Sequence, residues 1–437
     1  EMASVIARSL ALVDLEKASK QDVELLKRLI VEFKDELDAL GVRVDGIDSR
    51  LAVLEDEIGG WRISGQFRFD ANFGMDENNV ENGGWYNDDM LQSGKNDFDL
   101  NRYRIFLNKR INDTTTFFAR LGKSGRGNNT QIATRWDYYS ITTKLGYDVT
   151  LTAGSINFDW EGDAGLYANN DAVFGDFDLN AFVFAKDWGI ANLQFVLGRL
   201  NDDAVYVGGS AWDEYFLLAA KADFDIAEKI NAGVMAYYIW GDEDIPIGGI
   251  DYSNDLLTAG LYFSYHITPD AALRGLYYYQ DQGDGIQTGN EDTASAWRLA
   301  FDIGQDTLKF TSVWAEYTQI DNNFINPSGA VTYTFNGASL LANQPGNTNT
   351  TKVYGLIANQ KWNDKWSTNL GYYAADYDTT GIDDATEWLI GFGYQLNPAV
   401  QFQLSYNNID YGNTATLNNG GRTDDDSQIR FRTFVSF

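Results

Sequence analysis

A two-residue alternation of apolar and polar side chains runs through most of this chain and constrains its fold more than any other feature. In the stretch WRISGQFRFDANF, one face carries Trp61, Ile63, Phe67, Phe69 and Ala71, and the other carries Arg62, Ser64, Gln66, Arg68, Asp70 and Asn72. The final stretch, SQIRFRTFVSF, alternates in the same way and ends on Phe437. In a soluble sheet such a strand would be an aggregation hazard, whereas a closed barrel in lipid needs strands that are apolar outside and polar inside. The alternation predicts an all-β transmembrane barrel.

Similar segments recur over residues 61–437, joined alternately by tight turns and long polar loops. The tight turns are predicted at Ile111–Thr114, Leu145–Asp148, Asp187–Ile190, Asp225–Lys229, His266–Asp270, Gly304–Asp306, Trp362–Lys365 and Leu396–Ala399. Eight such turns and one strand at each end give about eighteen antiparallel strands, with sixteen as the alternative if one hairpin belongs to a loop. All five prolines fall in loops or turns, where a missing N–H does not weaken a strand ladder.

Composition excludes several classes of protein. The formal net charge of −30 argues against nucleic acid as a partner, because a phosphate backbone needs Lys and Arg for neutralisation. The chain has no cysteine, which excludes disulfides, thiol nucleophiles and thiolate metal sites. No apolar run reaches the roughly 20 residues that a transmembrane helix needs. Acidic residues are concentrated in long loops on one side of the predicted barrel. Both chain ends lie on the other side, with the tight turns, and in an outer membrane that side is periplasmic.

Residues 1–58 follow a helical period instead, and Gly59-Gly60 ends the predicted helix. From residue 19 onward, apolar side chains recur at alternating steps of three and four over about five heptads, which indicates a coiled-coil seam. The seam comprises Val23, Leu26, Ile30, Phe33, Leu37, Leu40, Val44, Ile47, Leu51, Leu54 and Ile58. We expect a parallel coiled coil with other copies of the chain, and the alternative is a lone helix packed on its own barrel. The predicted organisation is a tail and linker at 1–18, a stalk at 19–60 and a barrel at 61–437.

Two stretches near the N-terminus resemble a known family. EMASVIARSLA resembles the last helix of an S-layer homology (SLH) domain. The stalk sequence followed by GGWRISGQFRF resembles the linker-to-barrel junction of OmpM-type SLH porins of diderm Firmicutes such as Veillonella, with similar proteins in cyanobacteria and the Deinococcus–Thermus group. The terminal Phe437 resembles the signal that the barrel-assembly machinery reads. Most of an SLH domain would lie upstream of Glu1, so no ligand-binding residue of that domain is assigned here.

The resemblance implies a function and a set of partners. In that family the SLH domain binds peptidoglycan, the coiled coil spans the periplasm towards the outer membrane, and trimeric barrels form pores. We therefore expect a homotrimeric outer-membrane porin for small hydrophilic solutes and ions, surrounded by outer-membrane lipid including lipopolysaccharide and tethered to peptidoglycan. A substrate-specific sugar channel and a non-conducting structural or adhesive surface protein are the alternatives.

The alternation also predicts which charges line the pore. Seven arginines are expected to point inward on the first, second, third and last strands: Arg62, Arg68, Arg102, Arg104, Arg120, Arg430 and Arg432. Closure makes the first and last strands neighbours, so these side chains form one basic wall. The loop after the fifth strand offers Asp159, Glu161, Asp163, Asp171, Asp176 and Asp178. If this loop folds inward, as the third external loop of trimeric porins does, a transverse field would cross the constriction. Otherwise the loop stays outside and the arginines form scattered ion pairs.

The remaining candidate sites carry weaker signals. His266 is the only histidine and is expected in a turn on the wrong side for a lumenal site, which argues against an enzyme. No cofactor is expected, and Ca²⁺ at the acidic outer loops has no EF-hand-like spacing to support it. Six tryptophans near strand ends fit interfacial girdles: Trp136, Trp188, Trp240, Trp362, Trp366 and Trp388. The stretch GLYYYQ at 275–280 is either girdle and packing or a sugar-stacking slide within the pore.

Overall fold

A computed structural model describes residues 61–74, 96–124, 136–168, 175–200, 206–207, 210–211, 215–241, 245–247, 250–252, 255–282, 292–321, 324, 350–378, 383–410 and 426–437. In chain order the strands are β1 (Trp61–Gly74), β2 (Asn96–Arg110), β3 (Thr115–Ser124), β4 (Trp136–Lys144), β5 (Thr150–Asp159), β6 (Asp176–Asp187), β7 (Ala191–Leu200), β8 (Tyr206–Val207), β9 (Ser210–Ala211), β10 (Phe216–Ala227), β11 (Ile230–Trp240), β12 (Ile245–Ile247), β13 (Ile250–Tyr252), β14 (Asp255–Thr268), β15 (Ala271–Asp281), β16 (Thr293–Ile303), β17 (Ser312–Ile320), β18 (Thr351–Lys361), β19 (Trp366–Asp376), β20 (Ala385–Asn397), β21 (Val400–Asp410) and β22 (Asp426–Ser436). Two helices of one turn each are α1 (Trp160–Asp163) and α2 (Gln305–Leu308).

Eighteen of these strands form one closed antiparallel sheet. Each long strand pairs with the next long strand along the chain, and β22 closes the barrel by pairing with β1. The short strands pair only as β8 with β9 and β12 with β13, within loops. The prediction of eighteen strands is confirmed, and the sixteen-strand alternative is wrong. A closed sheet leaves no edge, so every strand satisfies its backbone groups on both sides, as lipid requires.

The short connections lie close to the predicted positions, but several strands run further than predicted. The first residues of the predicted turns Asp225–Lys229 and Leu396–Ala399 belong to β10 and β20. Between β16 and β17 the connection is longer than the predicted turn at Gly304–Asp306, because it contains α2. His266 lies within β14 near the end of that strand, and the turn itself is at residues 269–270. We call the end of the barrel that carries these short connections the turn rim, and the opposite end the loop rim.

The alternation sorts side chains between the two faces of the barrel wall. Large apolar residues such as Ile63, Phe182 and Leu370 are 63%, 53% and 54% exposed and cover the outside. The strand neighbours of Phe182 and Leu370 are buried or half-buried and point inward. An apolar exterior on a closed sheet is what a hydrocarbon environment requires.

The predicted coiled-coil seam and the N-terminal tail lie outside the described residues. Within the described ranges, no helix has the length and apolar character to cross a membrane.

Candidate functional site: the barrel lumen

Six arginines lie together on the inner face, around the seam between the first and last strands. The register pairs that place them are Arg68 with Arg102, Gln66 with Arg104, Phe106 with Arg120, Asn72 with Arg430, and Asp70 with Arg432. Directly opposed residues in an antiparallel pair project on the same side of the sheet. Arg62 shares this face nearer the turn rim, opposite Asn108. The structure thus brings together on one wall all seven arginines that the alternation assigned to the lumen.

The charges of this basic wall act on one another. Arg68 experiences the positive charges of Arg432, Arg102 and Arg104, and Asp70 counteracts them. Arg432 donates two hydrogen bonds to the Asp70 carboxylate, at 2.7 Å from Nε and 2.6 Å from Nη2. This bidentate pair neutralises the charge of Arg432. A wall of like charge beside a low-dielectric barrel concentrates anions near it.

Arg120 is held by a different contact. Its guanidinium carbon lies 3.9 Å from the centroid of the Tyr138 ring on β4, on the same inner face. A cation over an aromatic face is stabilised by the ring quadrupole.

The segment that follows β5 folds into the barrel. Trp160, the first residue of α1, is fully buried, and its ring centroid lies 5.7 Å from that of Tyr262 and 5.6 Å from that of Tyr278. Both tyrosines are inward residues of β14 and β15, which are not neighbours of β5 in the sheet. The start of the loop therefore crosses part of the lumen and packs on the inner wall.

Three polar contacts fix this inward segment. Tyr278 donates a hydrogen bond of 2.7 Å to Glu161, and both side chains are fully buried. Arg298 on β16 donates to the backbone oxygen of Leu166 at 3.1 Å. Lys221 on β10, whose side chain is almost fully buried, lies 3.7 Å from Asp163. The contacts of Glu161 and Arg298 are buried and charge-assisted, so breaking either of them is costly.

Asp159 shapes the chain reversal that starts the segment. Its carboxylate accepts a hydrogen bond of 2.8 Å from the backbone N–H of Gly162 and another from the Tyr167 hydroxyl. Burial, reinforced by the hydrogen bond to Asp159, raises the pKa of the Tyr167 hydroxyl, so this group remains a donor. Asp159 thus caps the single turn of α1.

The six predicted acidic residues occupy different environments. The Asp163 side chain is 69% exposed, whereas Glu161 is fully buried. Asp176 and Asp178 lie at the loop-rim end of β6, where the Asn157 amide donates to them at 2.5 and 3.1 Å and the Tyr138 hydroxyl donates to Asp178. Asp171 lies outside the described residues. Asp163 is therefore the member of the set that the structure places exposed beside the inner wall.

The structure reveals an apolar inner wall that the alternation did not predict. Inward side chains of β6 to β16, together with Trp160 and Leu166, form one buried cluster that includes Phe177, Leu217, Met235, Tyr237, Leu256 and Leu276. A signal was present in near-continuous apolar runs such as FLLAAKA and LLTAGLYF, which are typical of strands buried on both faces. The lumen thus has a polar basic side and an apolar side covered by the inward segment.

The aromatic stretch at 275–280 is divided between the two faces. Tyr277 and Tyr279 point outward and are 41% and 44% exposed, whereas Tyr278 is buried against Trp160. The described side chains therefore form no row of exposed tyrosines inside the lumen at this stretch, which favours girdle and packing over a sugar slide. Trp188 and Trp362, at the turn rim, are well exposed, as residues of an interfacial girdle are.

Comparisons with known structures identify the fold. OccK3 (OpdO) of Pseudomonas aeruginosa matches with a TM-score of 0.55 and 12% identity, over 88% of this chain and 97% of that one. The outer membrane protein OpdK of the same species matches with a TM-score of 0.52 and 12% identity, over 86% and 98%. OccAB4 of Acinetobacter baumannii gives 0.51 and 13%, over 86% and 98%. The fold is that of outer-membrane porins.

Sequence comparison adds nothing to this assignment. No family model matches the chain, and no curated protein matches it at a significant level. At 10–13% identity the structural matches establish the fold of the barrel and leave the function to be argued from the lumen.

Proposed function

We propose that this chain is a porin of the bacterial outer membrane, through which small hydrophilic solutes and ions diffuse passively. The observation that carries the proposal is the two-sided lumen of a closed eighteen-stranded barrel, with an arginine wall on one side and an inward-folded segment on the other. Barrels of 16 to 18 strands leave an aqueous channel, and the inward segment narrows it. No step of a reaction is needed to explain these features.

The proposal includes a preference for anions. Arg68, Arg102 and Arg104 are adjacent on two paired strands, and charges at a constriction act strongly on a passing ion. Charges on outer loops are screened beyond about 8–10 Å at physiological salt, so the net charge of −30 does not determine selectivity. Asp163 on the opposite side supplies the counter-charge of a transverse field.

Single-channel recording in planar bilayers tests conduction. The full chain should give discrete conductance steps, and a salt gradient should give a reversal potential displaced towards that of the anion. Liposome swelling with neutral sugars and charged solutes of matched size separates a general porin from a sugar-specific channel. A correctly folded barrel that gives no conductance steps would make the protein a structural or adhesive surface protein instead.

We further propose that three copies associate through a parallel coiled coil of residues 19–60, and that this stalk lies in the periplasm. Support comes from the regular seam and from the resemblance of residues 1–70 to SLH porins. An SLH portion upstream would bind peptidoglycan and make the stalk a tether between cell wall and outer membrane.

The tether is tested by retention on peptidoglycan sacculi. Deleting residues 1–58 from a protein that carries the upstream SLH portion, while leaving that portion joined directly to the barrel, should leave conductance nearly intact and weaken attachment under load. Equal retention with and without the stalk would contradict a mechanical role.

A further inference from the structure

A depression on the outer face of the barrel is lined by small side chains. Ala220 of β10, Ala236 of β11 and Ala259 of β14 lie directly opposite one another in adjacent strands and are exposed. Ala222 lies in the next row towards the turn rim. Many other outward positions carry large apolar side chains such as Phe182, Leu261 and Leu370, so the adjacent alanines leave a groove in the apolar surface.

Larger apolar residues form the walls of this groove. Phe195 lies directly opposite Ala220, and Phe184 lies opposite Phe195 on the next strand. Leu193 and Val234 flank Ala222 on its two sides. The groove has a volume of about 580 Å³, within the roughly 300–1,000 Å³ typical of pockets that hold small organic ligands.

The turn-rim end of the groove carries a positive charge. Lys186 lies directly opposite Leu193, in the same row as Ala222 and Val234. Its ammonium group donates to the backbone oxygen of Tyr147 at 2.8 Å and lies 5.8 Å from the ring centroid of the exposed Trp188. An ammonium group has three donors, so Lys186 retains capacity for an anion at this rim.

We propose that this groove holds an acyl chain of a phospholipid whose phosphate is bound by Lys186. The apolar lining lies in the band that faces hydrocarbon, and the cation and the aromatic residue lie where the band meets the headgroups. The occupant must therefore be apolar along most of its length and anionic at one end. A phospholipid of the leaflet at the turn rim has this character.

The single charge at one end favours lipid over a second copy of the chain. A subunit contact across small residues would be driven by close backbone packing and would gain nothing from a lysine at the rim. A headgroup phosphate gains a charge-assisted hydrogen bond there, and the tail gains contact along Phe184, Leu193 and the alanines.

Native mass spectrometry of the full, delipidated protein with added phosphatidylglycerol tests the inference. Ala236→Phe fills the groove, removes contact with two or three methylenes and should lower lipid retention by roughly tenfold or more. Lys186→Gln should also lower retention, and the loss should be larger for phosphatidylglycerol than for an uncharged diacylglycerol. Ala315→Phe, on the outward face of β17 between Phe301 and Leu356, is the matched control and should bind as the wild type does.

Further measurements distinguish a lipid-binding groove from a subunit contact and from a folding defect. Conductance should be the same in all three variants, and each should show native far-ultraviolet circular dichroism. If Ala236→Phe changes the oligomeric state and leaves lipid retention unchanged, the groove is a subunit contact and the proposal is wrong. Equal losses of lipid retention in Ala236→Phe and Ala315→Phe would overturn it as well.

Discussion

The ring of Phe437 lies directly over Gly65, so closely that a Cβ atom at residue 65 would come within 2.3 Å of Cζ of the ring. The two residues also exchange backbone hydrogen bonds of 2.8 and 3.0 Å, which extend the pairing of β22 with β1 to the last residue of the described chain. Phe67 stacks on the same ring with a centroid distance of 5.6 Å. The absent side chain of Gly65 thus makes room for the residue that completes barrel closure.

Gly65→Val should therefore impair barrel assembly. The new side chain displaces the Phe437 ring, so we expect less folded protein in the membrane and slower folding into lipid vesicles. Heat-modifiable migration on gels measures the folded fraction. Gly146→Ala is the matched control, because a Cβ at residue 146 meets no atom within 4 Å, and it should fold normally. Normal assembly of Gly65→Val would show that closure does not depend on the seating of the ring.

Asp70→Asn should destabilise the barrel at its seam. Asp70 is fully buried and accepts both hydrogen bonds from Arg432 across the β1–β22 pair, so its neutralisation leaves a desolvated guanidinium without its counter-charge. Breaking a buried ion pair typically costs about 3–5 kcal/mol. Urea unfolding in lipid vesicles measures the free energy of unfolding. The exposed pair of Arg110 and Asp113 provides the control, and Asp113→Asn should leave stability unchanged.

Replacing Arg68 and Arg104 with Gln should shift the reversal potential towards that of the cation. Each substitution removes a positive charge from the basic wall and keeps a polar side chain at the same position. The shift should shrink between 0.1 and 1 M salt, since the Debye length falls from about 10 to about 3 Å. Lys229→Gln, at a tight turn of the turn rim, removes the same charge away from the predicted constriction and serves as control. An unchanged reversal potential in the double variant would show that the basic wall does not line the constriction.

The strand number and the basic wall were accessible from sequence, whereas the packing of the inward segment was not. The two-residue alternation of apolar and polar side chains assigns Arg68 and Arg432 to the lumen, because their neighbours on each strand are apolar. It fails where both faces are apolar, as in β10, where Leu217 points inward and Phe216 outward. Glu161 and Tyr278 are 117 residues apart, and no local pattern links them. Contacts of this kind depend on the closed barrel, which places distant strands opposite one another.

The exposed and the buried acidic residues of the inward segment should differ in their effect on ion selectivity. Asp163→Asn removes an exposed charge beside the lumen and should shift the reversal potential further towards that of the anion. Glu161→Gln should change selectivity less, because that carboxylate is fully buried and accepts from Tyr278. Its effect should appear as noisier conductance, since the segment loses a charge-assisted contact to the wall. Equal shifts in both variants would contradict the separate roles of the two residues.

The oligomer should depend on the seam of the stalk. Leu37 and Val44 lie outside the described residues, but the sequence places both at core positions of the predicted coiled coil. Leu37→Lys and Val44→Lys together bring like charges to the axis and should open the rod while the barrels remain folded. Val42→Lys adds the same charge at a position facing away from the seam and should leave the assembly intact. Native mass measurement of the intact protein is expected to give a trimer for the wild type and Val42→Lys, and cross-linking along the stalk should be lost in the double variant alone. A wild-type mass of one or two chains would rule out the trimer, and retained cross-links in the double variant would show that these residues do not form the core.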